Sequence, residues 1–125
     1  MENKLLIEES SETPRISLDK TDGVLEITGR SLPENSIKFY TPVLQWLEEY
    51  VKAPFSSTHL TIQLDYFNSA SAKKIIEIVM VLEKHLPGSH PVNITWLYSK
   101  EDELILNRGK EIADLSEIPF EMKVC

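Results

Sequence analysis

The spacing of apolar positions along this chain predicts strands at its start and end, with strands and helices alternating between them. Residues 16–19 and 24–28 alternate apolar and polar side chains, which is the pattern of a half-buried strand. The turn signal Lys20-Thr21-Asp22-Gly23 separates them, so we expect a β-hairpin. Similar runs predict further strands at residues 60–64, 92–98 and 120–124.

Three helices are predicted where apolar residues recur at steps of three and four. The first covers residues 35–51, and Pro42 either kinks it or marks its first turn with Thr41 as the cap. The second carries an apolar stripe from Ala72 to Leu86. The third runs from Glu101 to Leu115, with Leu104, Ile105, Arg108, Ile112 and Leu115 on one side.

The element order is therefore β-β-α-β-α-β-α-β. Strand–helix–strand alternation implies right-handed crossovers in an α/β fold with a mixed, mainly parallel sheet, and the hairpin supplies an antiparallel edge. Residues 1–125 show no linker or internal repeat, so we expect a single domain.

Composition narrows the possible partners and compartments. A formal net charge of −7, with no basic cluster longer than Lys73-Lys74, argues against a nucleic-acid partner or an anionic lipid surface. The apolar runs are too short for membrane insertion, and residues 1–4 lack a signal-peptide pattern, so a cytoplasmic protein is expected. The single cysteine, Cys125, has no intrachain disulfide partner.

The segment from Leu64 to Lys74 is the best candidate for a regulatory site. A buried strand ends there and delivers Ser69 and Ser71 to the first turn of a helix, where free backbone N–H groups and the helix dipole favour a phosphate. Lys73, four residues after Ser69, would screen that phosphate, and Asp65 would repel it. The alternative is purely structural, with Asn68 or Ser69 serving only as the helix cap.

Enzymatic functions lack their required parts in this sequence. The four glycines form no phosphate-binding loop, and the three histidines have no metal-ligand spacing, so we predict no catalytic residues, metal or cofactor. One alternative is a response-regulator receiver phosphorylated on Asp65, with Lys100 after a later strand. A receiver, however, needs a helix between its first two strands, which residues 8–23 do not predict. A small-ligand binding module is another alternative, for which the sequence offers no signature.

Several phrases of the sequence, in this order, resemble one known family: Ser31-Leu32-Pro33-Glu34-Asn35-Ser36, Leu64-Asp65-Tyr66-Phe67-Asn68-Ser69-Ala70-Ser71 with Lys73, Trp96-Leu97-Tyr98 and Ile118-Pro119-Phe120. This is the SiaC-type family of bacterial regulatory phosphoproteins. The resemblance implies a STAS-like fold and a hydroxyl phosphoacceptor directly after the loop asparagine. That position is Ser69 here, where the family more often has threonine, and Ser71 is the second candidate.

The resemblance also implies partners. Members of the family are modified by a dedicated Ser/Thr protein kinase and reset by a PP2C-type phosphatase, and their unphosphorylated form binds and activates a diguanylate cyclase that influences biofilm formation. It further suggests that the loop carrying Pro33, Glu34 and Asn35 lies beside Ser69 and borders the partner surface. Trp96 and Tyr98, near a strand end, are either packing residues or partner contacts.

Overall fold

The computed structural model describes residues 2–125 as a six-stranded sheet with three helices. Its strands are β1 Lys4–Ile7, β2 Arg15–Asp19, β3 Val24–Ser31, β4 Thr58–Phe67, β5 Val92–Tyr98 and β6 Phe120–Val124. Its helices are α1 Ser36–Tyr50, α2 Ser69–His85 and α3 Glu103–Ala113. The strands lie in the sheet in the order in which they occur along the chain.

The sheet combines an antiparallel and a parallel half. β1, β2 and β3 pair antiparallel, and β3, β4, β5 and β6 pair parallel. The parallel register sets Ile27 beside Ile62, and Leu60 beside Ile94. The C-terminal ends of four parallel strands, with the loops that follow them, therefore meet along one edge of the sheet.

All three helices lie on one face of this sheet. The crossovers through α1, α2 and α3 advance in the same direction across the sheet, and their right-handedness places each helix on the same side. Burial follows this arrangement, because Ile27, Ile62 and Trp96 on the helix side are buried, whereas Glu26 and Gln63 on the other side keep partial contact with solvent.

The predicted α/β fold with a mixed, mainly parallel sheet is confirmed, with one added strand. β1 is absent from the predicted order; it extends the hairpin edge by pairing Leu5 with Leu18 and Ile7 with Ile16. The apolar residues 5–7 form a strand because they pair with β2. Their local sequence pattern alone does not predict this pairing.

The helix predicted over residues 35–51 is present as α1, but one alternative at Pro42 is wrong and the predicted third helix is too long. α1 begins at Ser36 and continues through Pro42, with Asn35 as its cap, so Thr41 does not cap a later start. α3 is shorter than predicted and buries Ile105 and Ile112, whereas Leu104 and Leu115 are exposed. Within residues 2–125, none of the three helices has the length and apolar content needed to cross a bilayer.

Candidate functional site

A β-bulge shapes the end of β4, where the candidate site begins. The pairing with β3 sets Gly29 beside Leu64 and Arg30 beside Tyr66, which leaves Asp65 as an extra residue. Asp65 and Tyr66 are both exposed, and Phe67 returns to the core. The bulge therefore extends a strand that the simple alternation ends at Leu64, and it aims the chain into α2.

Asn68, rather than Ser69, caps α2. The Asn68 side-chain oxygen Oδ1 accepts a hydrogen bond of 2.9 Å from the backbone N–H of Ser71. Ser69 is the first residue of the helix; it is exposed, and its hydroxyl makes no hydrogen bond to any part of residues 2–125. The capping role and the free hydroxyl thus belong to different residues.

Ser71 lies in the interior, in a cluster of three buried hydroxyl groups. The Ser31 hydroxyl donates to Ser71 Oγ at 2.8 Å and lies 2.5 Å from the Tyr40 hydroxyl, and none of the three side chains is exposed. A kinase cannot reach the Ser71 hydroxyl in the folded protein. This removes Ser71 as the second candidate phosphoacceptor.

The hydroxyl cluster joins three elements beneath Ser69. Ser31 is the last residue of β3, Tyr40 belongs to α1 and Ser71 belongs to α2. Hydrogen bonds therefore connect the N-terminal parts of both helices to the end of β3. Burial raises the pKa of Tyr40 to about 12, although its hydrogen bond to Ser31 acts in the opposite sense. The Tyr40 hydroxyl is therefore neutral and available as a donor at physiological pH.

Two arginines contact aromatic rings at the end of β4, and Lys73 lies one turn into α2. Lys73 is exposed and forms no ion pair within residues 2–125, whereas its neighbour Lys74 pairs with Glu77 at 3.2 Å. The guanidinium carbon of Arg30 lies 6.0 Å from the ring centroid of Tyr66, and that of Arg108 lies 6.0 Å from the ring centroid of Phe67.

Of these two arginines, Arg108 lies on the side of the sheet that carries α2, and the sequence did not reveal this position. Tyr66 and Phe67 are consecutive strand residues, so Arg30 and Arg108 lie on opposite faces of the sheet, with Arg108 on the helix side. No local sequence pattern predicts the contact of Arg108 with Phe67, because Arg108 belongs to α3, which is far along the chain from β4.

The predicted partner surface divides into exposed and buried members. Glu34 and Asn35 are exposed, but Pro33 and Trp96 are buried and cannot contact a partner. Trp96 is held in the core, where its indole N–H donates to the carbonyl oxygen of Ile105 at 3.0 Å. Tyr98 is half-buried at the end of β5. Trp96 and Pro33 are therefore packing residues.

The loop after β3 lies beside the loop after β4. The backbone N–H of Asn68 donates to the carbonyl oxygen of Ser31 at 3.1 Å, which continues the pairing of the two strands. Glu34 and Asn35 border a broad open cavity of about 920 Å³, in which Ile37 is 65% exposed. The exposed members of the predicted partner surface thus border an open cavity at the start of α1.

The geometry does not match the receiver alternative. A flavodoxin-like receiver has the strand order 2-1-3-4-5 with helices on both faces, whereas this sheet follows chain order with one face free of helices. Two of the histidines have structural partners, since His59 lies beside Asn93 and Thr95, and His90 lies 2.9 Å from the Thr58 hydroxyl. Across residues 2–125, no three His, Cys, Asp or Glu side chains group as metal ligands.

The site offers an exposed hydroxyl at a helix start, with a lysine of the same helix four residues further along. Ser69 stands at the positive end of α2, and Lys73 follows one turn later on the same face. A phosphate on Ser69 would be favoured by the helix dipole and by nearby positive charge.

Comparison with known proteins identifies close structural and sequence relatives. Residues 7–125 match the family model described as SiaC family regulatory phosphoprotein. An uncharacterized protein of Pseudomonas aeruginosa strain UCBPP-PA14 is 31% identical over 108 residues, which are 86% of each chain.

Two solved structures from Pseudomonas aeruginosa share the fold. The crystal structure of apo-SiaC has a TM-score of 0.90 and 28% identity, covering 98% of this chain and 99% of that one. SiaC described as the activator of the diguanylate cyclase SiaD, in complex with it, has a TM-score of 0.90 and 29% identity, covering 97% and 99%.

Proposed function

The chain belongs to the SiaC family of regulatory phosphoproteins, and we propose that it is a switch protein without catalytic activity of its own, which binds and activates a diguanylate cyclase. Phosphorylation of Ser69 by a Ser/Thr protein kinase would end that binding, and a PP2C-type phosphatase would restore it. The output would be the level of cyclic di-GMP, and through it biofilm formation.

The proposed partner is supported by the relative that is solved in complex with a cyclase. The similarity to that relative extends over nearly all of both chains. No large insertion or deletion therefore separates the two folds, and the surfaces around the strand ends have the same framework. The serine at position 69, where the family more often has threonine, is a mild departure, since serine and threonine offer a kinase the same hydroxyl oxygen.

The proposed switch is carried by one observation, the free and exposed hydroxyl of Ser69. Because Asn68 already caps α2, Ser69 has no structural task that a phosphate would interrupt. Phosphorylation adds about 1.5 to 2 negative charges and three acceptor oxygens. A charge of that size desolvates poorly, so a partner that packs against this surface would be displaced.

The fold itself should survive the modification. A phosphate at the first residue of a helix is close to the unpaired N–H groups of the first turn and to the positive end of the dipole. Lys73 lies one turn further along α2. The switch would thus change the surface of the protein and leave its core intact.

The first test is phosphosite mapping by mass spectrometry on protein from its native cells, joined to co-purification of the cyclase. We expect phosphate on Ser69 that survives hydroxylamine, which an acyl phosphate on Asp65 would not. Wild type and Ser69→Ala should retain the cyclase, and Ser69→Asp should lose it.

The matched control is Ser89→Asp, because Ser89 is also exposed but lies in the turn that follows the C-terminal end of α2. It adds the same charge to the chain and should bind the cyclase as wild type does. Equal binding of Ser69→Asp and wild type, with Ser69 unmodified in all growth conditions, would contradict the proposal.

A further inference from the structure

β6 is the last strand at its side of the sheet, and its outer edge is unpaired within residues 2–125. The strand covers Phe120–Val124 and pairs with β5 alone. Its side chains are accessible, since Val124 is 48% exposed and both Glu121 and Lys123 are exposed. A free strand edge presents a row of backbone N–H and C=O groups to which another strand can bind.

Two backbone hydrogen bonds show which groups of β6 face outward. The N–H of Ile94 donates to the carbonyl oxygen of Pro119 at 2.9 Å. The N–H of Cys125 donates to the carbonyl oxygen of Tyr98 at 3.0 Å. Because successive strand residues direct their backbone groups to opposite sides, the odd-numbered residues from 119 to 125 face β5. The residues whose N–H and C=O groups point away from the sheet are Phe120, Met122 and Val124.

We propose that β6 pairs antiparallel with β6 of a second copy of this chain, with a two-fold axis at Met122. The inference goes beyond the proposed function and does not rest on it. Met122 then stands opposite Met122 of the second copy, and Phe120 stands opposite Val124. Each of these outward residues exchanges both of its backbone hydrogen bonds with the residue opposite, and the two sheets become continuous.

The charges of β6 complement one another in this arrangement. Glu121 stands opposite Lys123 of the second copy, and Lys123 stands opposite Glu121. These residues lie between the hydrogen-bonded pairs, where the Cα atoms of opposite residues are about 4.5 Å apart and their side chains are close. Neither residue forms an ion pair with any of residues 2–125, so both charges are available to the second copy.

The same charges disfavour the neighbouring registers. The hydrogen-bonding pattern permits the two strands to slip only in steps of two residue positions, because outward residues must stay opposite each other. A slip in one direction sets Glu121 opposite Glu121, and a slip in the other sets Lys123 opposite Lys123. Like charges directly opposite are destabilising, and either slip also leaves an outward residue of each copy unpaired. The charge pattern therefore selects one register.

The opposite edge of the sheet lacks this complementarity. β1 has only four residues, and none of them is acidic, so nothing on it could oppose Lys4 of a second copy. Lys4 is already 3.5 Å from Asp19 of its own chain. A pair of β6 strands is also closed by its symmetry, whereas β6 bound to β1 of the next copy would continue into an open fibre.

The test uses charge variants whose separate and combined effects differ. Glu121→Lys sets two lysines opposite each other on both sides of the axis, and Lys123→Glu sets two glutamates opposite each other. The double variant that combines Glu121→Lys with Lys123→Glu restores both pairs in reverse order and keeps the net charge of the chain. Glu48→Lys is the control, because Glu48 is exposed on α1 and undergoes the same charge change.

A backbone variant tests the hydrogen bonds separately from the charges. Val124→Pro removes an N–H that faces away from β5, and proline is tolerated in an edge strand where the N–H does not serve the ladder. Circular dichroism and thermal unfolding of every variant would establish that it folds as wild type does. Loss of self-association in a folded Val124→Pro would therefore report on the outer edge of β6.

The measured quantity is the Kd of self-association, obtained by sedimentation velocity over a concentration series. Two five-residue strands form a small contact beside the standard interface of about 1,200–2,000 Å², so we expect a Kd between about 10 μM and 1 mM. Glu121→Lys, Lys123→Glu and Val124→Pro should each weaken it by about tenfold or more. The double charge variant and Glu48→Lys should stay within about threefold of wild type.

Three results would overturn the proposal. The first is a wild-type chain that remains monomeric at about 2 mM, well above the expected Kd. The second is a dimer whose Kd is unchanged by Glu121→Lys and by Val124→Pro. The third is a double charge variant that associates as weakly as the single variants, since the restored pairs would then have no effect.

Discussion

Ser31 and Ser71 are forty positions apart in the chain, yet the hydroxyl of Ser31 donates to Ser71 Oγ at 2.8 Å in the protein interior. The contact joins the end of β3 to the first turn of α2, directly under the exposed Ser69. Tyr40 extends it to α1. The surface on which we propose that a phosphate appears therefore rests on a rigid base, which is consistent with a switch that alters charge rather than shape.

Because Tyr40 of the hydroxyl cluster has a raised pKa, we expect the free energy of unfolding to fall at alkaline pH. The pKa of Tyr40 is raised from 10.0 to about 12 in the folded state, so the folded chain keeps a proton that the unfolded chain releases in this window. Stability due to this group is complete below pH 10 and is lost as pH rises to 12. The expected loss in the free energy of unfolding is about 2–3 kcal/mol. Denaturant unfolding of wild type and Tyr40→Phe at each pH would measure it.

Tyr40→Phe should be less stable than wild type at neutral pH, by about 1–2 kcal/mol, because Ser31 loses a buried partner. Its stability should fall less steeply than that of wild type above pH 10. Tyr66→Phe is the control, since Tyr66 is 44% exposed and lies outside the cluster. Parallel curves for Tyr40→Phe and wild type between pH 10 and 12 would refute this account of Tyr40.

Because Asn68 caps α2 and Ser69 does not, alanine substitutions at these two neighbours should affect the free energy of unfolding differently. Asn68→Ala should destabilise the protein by about 1 kcal/mol, since it removes the side chain that accepts from the Ser71 N–H. Asn35→Ala should cost a similar amount, because Asn35 caps α1 through the Lys38 N–H. Ser69→Ala should change the free energy of unfolding by less than about 0.5 kcal/mol. A loss at Ser69 as large as that at Asn68 would make Ser69 a structural residue.

The close approach of α3 to the sheet depends on Gly109. A Cβ added there would lie 2.5–2.6 Å from three ring atoms of Trp96, which is too close without a shift of the helix. We expect Gly109→Ala to destabilise the protein by about 1–3 kcal/mol through overpacking. Gly88→Ala is the control, because its Cβ would meet no atom within 4 Å. Equal unfolding midpoints for the two variants would show that α3 is free to move.

Much of the fold is predictable from the sequence because apolar residues recur at every second position in most strands and at steps of three and four in the helices. The hairpin around Asp22-Gly23 and the alternation from β3 to β6 follow from local apolar spacing and turn chemistry. β1 is harder to predict, since four residues become a strand only by pairing with β2. Pro42 is also tolerated within α1, where the packing of Tyr40 and Val43 outweighs the lost hydrogen bond.

The candidate site is predictable in part. The strand-to-helix segment around Ser69 is evident from the sequence, and so is the role of Asn68 as one of two possible caps. The burial of Ser71 is not evident from the sequence, because it depends on contacts with Ser31 and Tyr40, which belong to other elements. Trp96 is a similar case, since an aromatic residue near a strand end fits either a surface or a core until α3 is placed over it.

The most direct test of the central claim is the affinity of the full-length diguanylate cyclase for this protein with and without phosphoserine at position 69, prepared at full occupancy and measured by titration calorimetry. We predict that the unmodified protein binds and that the phosphorylated protein binds at least about tenfold more weakly, with both forms showing the same circular dichroism spectrum. Equal Kd values for the two forms would contradict the claim that phosphorylation of Ser69 is the switch.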